Sequence, residues 1–287
     1  MADTLDPRLN VYRDDLADAR LEGRVSAQRF VSGVEARVIS GAPALRRRPD
    51  DAAPQDTQLL FGERVDVFER HDGWAWVQNR RDGYVGYCHE DRLGALNDAP
   101  ALTHRVSVLR TYLYPEASLK VPPRDLLSLE SALSIVDVDA RWARLADGGF
   151  VHAGHLSPLA VYETDIAGVA ERFLETPYLW GGKTSVGLDC SGLVQLALNR
   201  CGVECLRDTD MQETSVGHDV AIGPQAMRRG DLVFWPGHVG IMVDGLRIIH
   251  ANATDMTTRI WTLAALDDHI EKMEGRRMTR IRRMEVV

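Results

Sequence analysis

The sequence feature that most constrains the fold is a sharp change from polar to apolar residues near position 190. The pentapeptide Leu188-Asp189-Cys190-Ser191-Gly192 is followed by the apolar run 193–198. That run is too long and too uniformly apolar for a surface helix, and Gly202 suits the position just after a helix C-terminus. We therefore predict a buried helix that begins at Cys190. A thiol there lies near unpaired backbone N–H groups and the positive end of the helix dipole, which both favour the thiolate.

An unpaired cysteine is often only a small core residue, so a second feature is needed to indicate chemistry. Residues 230–251 predict two strands separated by a Pro-Gly break, then a turn at Asp244-Gly245 and a returning strand. With the turn centred near Asp244, His238 and His250 lie opposite each other on antiparallel strands. A cysteine nucleophile needs a base, and the base needs a polar group that orients it. Cys190, His238 and His250 are candidates for these three roles in that order.

Three blocks carry a resemblance to a known family: Tyr-Leu-Trp-Gly-Gly at 178–182, the pentapeptide at 188–192, and the segment 230–251. In these blocks the chain resembles the NlpC-type cell-wall cysteine peptidases, over about residues 165–287. The resemblance implies a circularly permuted papain-like core, with Cys190 as nucleophile, His238 as base and His250 as the orienting residue. It also places Trp180 and Ser191 beside the substrate. For Trp180 the alternative is a core tryptophan with a satisfied N–H group.

The first half of the chain consists of short predicted strands broken by turns, as a small β-barrel requires. The strand order between about 35 and 97 resembles a bacterial SH3-like domain. A weaker repeat of the strand-turn-strand unit, at 141–156, implies a second barrel.

The predicted fold class is therefore α+β, with two small SH3-like β-barrels before a papain-like catalytic domain. The predicted domains are an ordered N-terminal extension (1–34), the barrels (35–98 and 99–162) and the peptidase domain (163–287). We expect the peptidase domain to open with a helix that is N-capped by Thr164, has Asp165 in its first turn, and ends before Pro177.

The resemblance also nominates residues of the first barrel. In one subgroup of the family, this barrel walls one end of the cleft, and a Glu and a Tyr meet the free amino group of a short muropeptide. The matching segments nominate Glu63 and Tyr84, and Asp189 could add a second negative charge. The alternatives are a solvated turn acid and a strand aromatic. We expect Tyr87 to be the core residue of this segment. The polar loop 207–210 could line the cleft, although such a loop is more often solvated.

Composition limits the partners and cofactors. The chain has 34 basic and 42 acidic residues, a net charge of −8, which argues against nucleic acid and other polyanions. The first residues carry acid without an apolar signal region, and no run is long enough to span a membrane, so we expect a cytoplasmic protein. Four cysteines are too few for a disulfide framework. A metal pair at Cys201 and Cys205 is conceivable, but no matching cluster lies nearby, so we expect packing residues and no metal or organic cofactor.

The resemblance implies a cysteine endopeptidase that hydrolyses the γ-D-glutamyl–diamino acid bond of short murein peptides with a free N-terminal L-Ala. Such an enzyme would release L-Ala-γ-D-Glu during cell-wall recycling. An amidase or acyltransferase would use the same Cys-His pair, and a non-catalytic wall-binding protein is the alternative of another class. The sequence leaves open the diamino acid, the oligomeric state, and the roles of the second barrel and the extension.

Overall fold

The computed structural model describes residues 5–96, 100–222 and 227–285. The chain divides into two compact units, Met1–Leu159 and Ala160–Val287. The predicted boundary between the two barrels, at 98/99, lies outside the described residues. The domain limits stay predictions, and each unit is described by itself.

The first part of the first unit is built on one seven-stranded sheet, ordered β5-β4-β8-β7-β6-β3-β9. The elements are β1 (Leu16–Asp18), a 3-10 turn (Ala19–Leu21), β2 (Arg29–Val31), β3 (Val34–Val38), β4 (Ala44–Arg46), β5 (Gln55–Gln58), β6 (Arg64–His71), β7 (Trp74–Asn79), β8 (Val85–His89), a 3-10 turn (Glu90–Arg92) and β9 (Leu93–Ala95).

The β6–β7 hairpin shows how local sequence sets this sheet. His71 is paired with Trp74, so the loop consists of Asp72 and Gly73 alone. Both residues have positive φ, 49° and 81°, which two-residue hairpin loops require and Asp-Gly adopts readily. The Asp-Gly pair therefore explains the turn between β6 and β7.

The N-terminal extension is packed against this sheet. Val11 and Leu16 share a buried cluster with Phe68 and Trp76. The Arg13 guanidinium lies over the Trp76 ring, 4.2 Å from its centre, and pairs with Glu69 at 2.7 Å. The extension is therefore held by both apolar burial and a cation–π contact.

The remainder of the first unit has shorter strands: β10 (His104–Val106), β11 (Arg110–Leu113), β12 (Asp125–Ser128), β13 (Ala132–Leu133), β14 (Ile135–Val138), β15 (Trp142–Leu145), β16 (Phe150–His152), a 3-10 turn (Ala153–His155) and β17 (Leu156–Pro158). They form sheets ordered β13-β10-β17, β11-β12 and β14-β15-β16 around Val106, Leu113, Leu127, Leu133, Leu145 and Val151. The order hairpin, 3-10 turn, short strand occurs at β7–β9 and again at β15–β17.

The second unit contains a six-stranded antiparallel sheet, ordered β20-β25-β21-β22-β23-β24. Its elements are α1 (Ile166–Glu171), β18 (Lys183–Thr184), β19 (Gly187–Leu188), α2 (Cys190–Arg200), α3 (Thr209–Ser215), β20 (His218–Val220), β21 (Leu232–Trp235), β22 (His238–Met242), β23 (Arg247–Asn252), β24 (Thr257–Thr262), α4 (Leu263–Glu274) and β25 (Arg280–Arg283). Within the described ranges, none of the helices has the length and apolar character needed to cross a membrane.

The predicted N-cap of α1 is wrong by one residue, and the helix is shorter than its apolar spacing suggests. Asp165, not Thr164, is the N-cap, because its carboxylate accepts the backbone N–H of Gly168 at 3.0 Å. The helix ends at Glu171, well before Pro177. Helical spacing continued to Leu174, but the side chain of Leu174 is 41% exposed, so apolar periodicity there did not mark a buried face.

The prediction for α2 is confirmed. The helix begins at Cys190, and every residue from Cys190 to Arg200 is buried, including polar Gln195. Gln195 is accommodated because its amide nitrogen donates to the Cys205 carbonyl at 3.0 Å. Gly202, with φ of 79°, follows the helix as expected. Because α2 is buried on all sides, the surrounding core fixes the position of its first residue, Cys190.

Candidate active site

Cys190 is the first residue of α2, and its neighbour Asp189 is the N-cap. One carboxylate oxygen of Asp189 accepts the N–H of Gly192 at 2.7 Å, and the other accepts the N–H of Gly181 at 2.8 Å. The N-cap therefore ties the helix start to the Gly181-Gly182 turn.

Arg207 completes this anchor of the helix start, although a loop at this position is more often solvated. Its side chain is 1% exposed, and it pairs with Asp189 at 2.8 Å. It also donates to the Ser191 hydroxyl at 2.7 Å and to the Gly182 carbonyl at 3.1 Å. The expectation of a solvated loop is wrong, because a buried carboxylate at the N-cap needs a cationic partner. The burial predicted for α2 was the one available signal that Asp189 would need such a partner.

His238 and His250 are in hydrogen-bond contact, with 3.0 Å between Nε2 of His238 and Nδ1 of His250. Their strand register differs from the prediction. Ile241 is opposite Ile249, and this register, continued along the strands, makes the two histidines diagonal neighbours rather than direct partners. The contact is kept because a shift of two residues leaves both side chains on the same face.

The Cys190 sulfur lies against the start of β22. The backbone N–H of Val239, the residue after His238, donates to it. The Thr209 hydroxyl is 3.9 Å from the sulfur on another side. Since Nε2 of His238 is engaged by His250, Nδ1 is the ring nitrogen left to serve the thiol.

Burial is the largest influence on the pKa values of these groups. It raises the pKa of the Cys190 thiol to about 11, and the negative charge of Asp189 acts in the same direction. The Thr209 and Val239 hydrogen bonds and the Arg207 charge oppose this rise without reversing it. Burial therefore opposes the thiolate that the helix N-terminus favours, and with the pKa raised the resting thiol is neutral.

The two histidines are neutral for the same reason. Burial lowers the pKa of His238 to about 4, although its side chain retains some exposed area. Burial and then the neighbouring His238 and His269 lower the pKa of His250 to about 3. The resting site is thus a thiol beside a neutral imidazole, which can accept the thiol proton as the sulfur attacks.

Tyr178 is a further residue at this site that the sequence analysis left without a role. Its ring is half-buried, and burial, followed by the negative charges of Cys190 and Asp189, raises its pKa. The hydroxyl is consequently protonated near neutral pH. It can donate a hydrogen bond to the oxyanion that forms when the Cys190 sulfur attacks a carbonyl group.

The other predicted residues of the second unit have different environments. Trp180 is 65% exposed, so the core alternative for it is wrong. The Ser191 hydroxyl is buried, donates to Asp189 at 3.3 Å and accepts from Arg207. Ser191 is therefore part of the Asp189–Arg207 anchor.

Glu63 and Tyr84 lie in the first unit and are both buried, 6% and 2% exposed. The Glu63 carboxylate accepts the N–H of Leu60 at 3.0 Å and the Asn79 amide at 3.1 Å, so Glu63 is no solvated turn acid. Tyr87, expected in the core, is half-buried and accepts a hydrogen bond from Arg13. That expectation is wrong, because alternation along β8 does not reveal which face is turned inward. Binding of an amino group by Glu63 and Tyr84 stays a prediction.

The four cysteines are buried and unpaired with one another. Cys205 donates through its sulfur to the carbonyl of Leu206 at 3.3 Å. In the part of the chain that the structure describes, no group of three or more His, Cys, Asp or Glu side chains is arranged to hold a metal ion.

Comparison with known proteins identifies two families in the chain. Residues 45–93 match the bacterial dipeptidyl-peptidase SH3 domain, and residues 175–282 match the NlpC/P60 family. Dipeptidyl-peptidase 6 of Lysinibacillus sphaericus is 28% identical over 238 residues, which cover 75% of this chain and 86% of that protein. The γ-D-glutamyl-L-lysine dipeptidyl-peptidase of Bacillus cereus is 24% identical, covering 77% and 74% of the two chains. Its counterpart in Bacillus subtilis is 28% identical, covering 72% and 75%.

A solved structure extends the likeness to the fold. The crystal structure of an NlpC/P60 family protein from Bacillus cereus superposes with a TM-score of 0.73 at 20% identity, covering 87% of this chain and 99% of that one. The chain therefore combines a region similar to a bacterial SH3 domain with a region similar to the NlpC/P60 family, and the second region lies within the unit that carries Cys190, His238 and His250.

Proposed function

We propose that the protein is a cysteine peptidase that hydrolyses the γ-D-glutamyl–diamino acid bond of short murein peptides. The observation that carries this proposal is Cys190 at the N-terminus of a buried helix, in contact with the backbone N–H of Val239, the residue after His238, whose ring is 3.0 Å from that of His250. The names of the relatives from Bacillus cereus and Bacillus subtilis supply the bond type.

The chemistry follows from the protonation states. His238 accepts the thiol proton at Nδ1 while the Cys190 sulfur attacks the γ-carbonyl carbon, forming a tetrahedral oxyanion. The backbone N–H of Cys190, at the first position of α2, and the Tyr178 hydroxyl are the donors available to that oxyanion. His238, now an imidazolium, protonates the leaving amine. It then deprotonates the water that hydrolyses the thioester.

His250 holds the base through this cycle. In the proposed cycle its Nδ1 accepts the Nε2–H of His238, which leaves Nδ1 of His238 available to the thiol and stabilises the imidazolium. The Asp189–Arg207 pair acts one step further out, since it fixes the turn and the helix start that carry Cys190.

Recognition of a free N-terminal L-Ala is the finer part of the proposal. A substrate ammonium requires carboxylate or hydroxyl acceptors, and Glu63, Tyr84 and Asp189 are the residues we nominate. The Asp189 carboxylate already pairs with Arg207, so an ammonium bound there would share it. We further propose that residues 99–162 form a second SH3-like barrel, that the core is a permuted papain fold, and that the enzyme recycles wall peptides in the cytoplasm.

Mass spectrometry of L-Ala-γ-D-Glu-diaminopimelate incubated with the protein tests the proposal. We expect free L-Ala-γ-D-Glu with the native chain and none with Cys190→Ala. The same peptide with an acetylated N-terminus should be cleaved poorly. Equal cleavage of the free and blocked peptides would refute only the recognition of the amine and leave the peptidase assignment standing. Transfer of the acyl group to another amine would identify an acyltransferase. Absence of any product would refute the peptidase.

A further inference from the structure

The second ring nitrogen of His250, Nε2, has no partner in the catalytic site. Nδ1 faces His238, but Nε2 is buried and has no hydrogen-bond partner among the described residues. The side chain of His250 is 1% exposed, so bulk water does not supply one. A buried N–H group without an acceptor is costly.

The direction of the His238–His250 hydrogen bond decides which nitrogen of His250 carries a proton. Once His238 is an imidazolium, both of its ring nitrogens are donors. Nδ1 of His250 must then accept, and the single proton of the neutral His250 ring must be on Nε2. The tautomer that supports the base is thus the one with the unexplained N–H group.

Besides His238, the Trp261 ring is an aromatic neighbour of His250. The two ring centres are 5.6 Å apart and the planes are at 81°, an edge-to-face arrangement. The strand register explains the contact: Trp261 is opposite Ile248, two residues from His250 and on the same face of the sheet. The π face of an indole accepts an N–H group as a weak hydrogen-bond acceptor.

The indole ring is itself held in place. Its Nε1–H donates to the Asp255 carboxylate at 3.1 Å, and the Asn252 amide also contacts that carboxylate, at 3.2 Å. The His269 ring also packs against the indole edge-to-face, with the ring centres 5.3 Å apart. Trp261 therefore cannot easily turn its ring away from His250.

We propose that Trp261 is a positioning residue for the histidine pair: its π face accepts the Nε2–H of His250 and so keeps Nδ1 of His250 as the acceptor for His238. The inference rests on the proposed role of His238 as the base. Trp261 acts only through His250.

Nitrogen-15 NMR of the histidine rings tests the inference in the whole protein. In the native chain we expect His250 to be protonated at Nε2. Trp261→Leu keeps an apolar side chain, although a smaller one, and removes the π face. We expect it to mix the two tautomers and to lower kcat about fivefold with KM unchanged. Trp261→Phe keeps a π face and should keep the native tautomer and most of the activity.

Trp142→Leu is the matched control, since it makes the same replacement in the other unit. It should leave the His250 tautomer and kcat as they are. A native tautomer and native kcat in Trp261→Leu would overturn the inference, as would His250 protonated at Nδ1 in the native chain. Should the native chain cleave no γ-D-glutamyl peptide, the proposed function fails, while the tautomer measurement still decides the contact with Trp261.

Discussion

At the scale of single residues, the site depends on two groups that burial holds in their neutral forms. The pKa of the Cys190 thiol is raised to about 11 and that of His238 is lowered to about 4, each chiefly by desolvation. Proton transfer from sulfur to imidazole then accompanies the attack on the carbonyl carbon. This differs from a preformed thiolate–imidazolium pair, which the helix N-terminus alone would favour.

The pH dependence of kcat/KM follows from these directions. Because the pKa of His238 is lowered to about 4, the base stays unprotonated well below the ordinary histidine range. We expect kcat/KM for the dipeptide-releasing reaction to hold its plateau down to about pH 5 and to fall at lower pH, as the free enzyme's base becomes protonated. An acid limb centred near pH 6.5 would show that desolvation does not control His238.

At the scale of elements, the start of α2 is fixed by an ion pair between two buried side chains. Asp189 caps the helix, and Arg207, from the loop before α3, neutralises it and binds the Gly182 carbonyl. The position of Cys190 therefore depends on a residue seventeen positions later in the chain, at 207.

Replacing Arg207 with methionine should be strongly destabilising. The change keeps most of the side-chain volume but leaves the Asp189 carboxylate buried without its cation, so we expect a loss of about 3–5 kcal/mol in the free energy of unfolding. Urea denaturation of the second unit measures it. Arg277→Met, at a side chain that is 73% exposed, is the control and should cost little. A loss below about 1 kcal/mol for Arg207→Met would contradict the anchor.

At the scale of the whole molecule, the chain consists of two units that each have their own core. In the second unit, Val233, Trp235, Met242 and Ile248 of the sheet pack against Leu266 and Ile270 of α4. The cysteine, both histidines, Arg207 and Trp261 all belong to this unit. The chemistry we propose is thus assigned to the second unit, whereas two of the three residues nominated for amine recognition, Glu63 and Tyr84, are in the first.

This separation predicts the behaviour of a fragment. We expect residues 160–287, produced alone, to fold and melt cooperatively, because a unit of this size with its own buried core can be independently stable.

Cys190 in the fragment should react with an alkylating reagent more slowly than a free cysteine at pH 7, since its pKa is raised. Discrimination between free and N-acetylated peptides should be lost. A fragment that discriminates as well as the full chain would remove Glu63 and Tyr84 from recognition.

The sequence by itself determined the local elements and the residue types of the site. An apolar run with a polar N-terminal neighbour is enough to predict α2 and to put Cys190 at its start, and an Asp-Gly pair is enough to predict the β6–β7 turn. These features depend on contacts between residues close in sequence, so a pattern along the chain records them.

Only the tertiary structure decided how these elements set the chemistry. The burial that reverses the expected ionisation of Cys190, the pairing of Arg207 with Asp189, and the inward face of Tyr84 all depend on residues brought together from distant segments. The same is true of Trp261 beside His250, which follows from the register between β23 and β24. Desolvation and strand register are properties of the packed molecule, because neither is fixed until every neighbour of a side chain is in place.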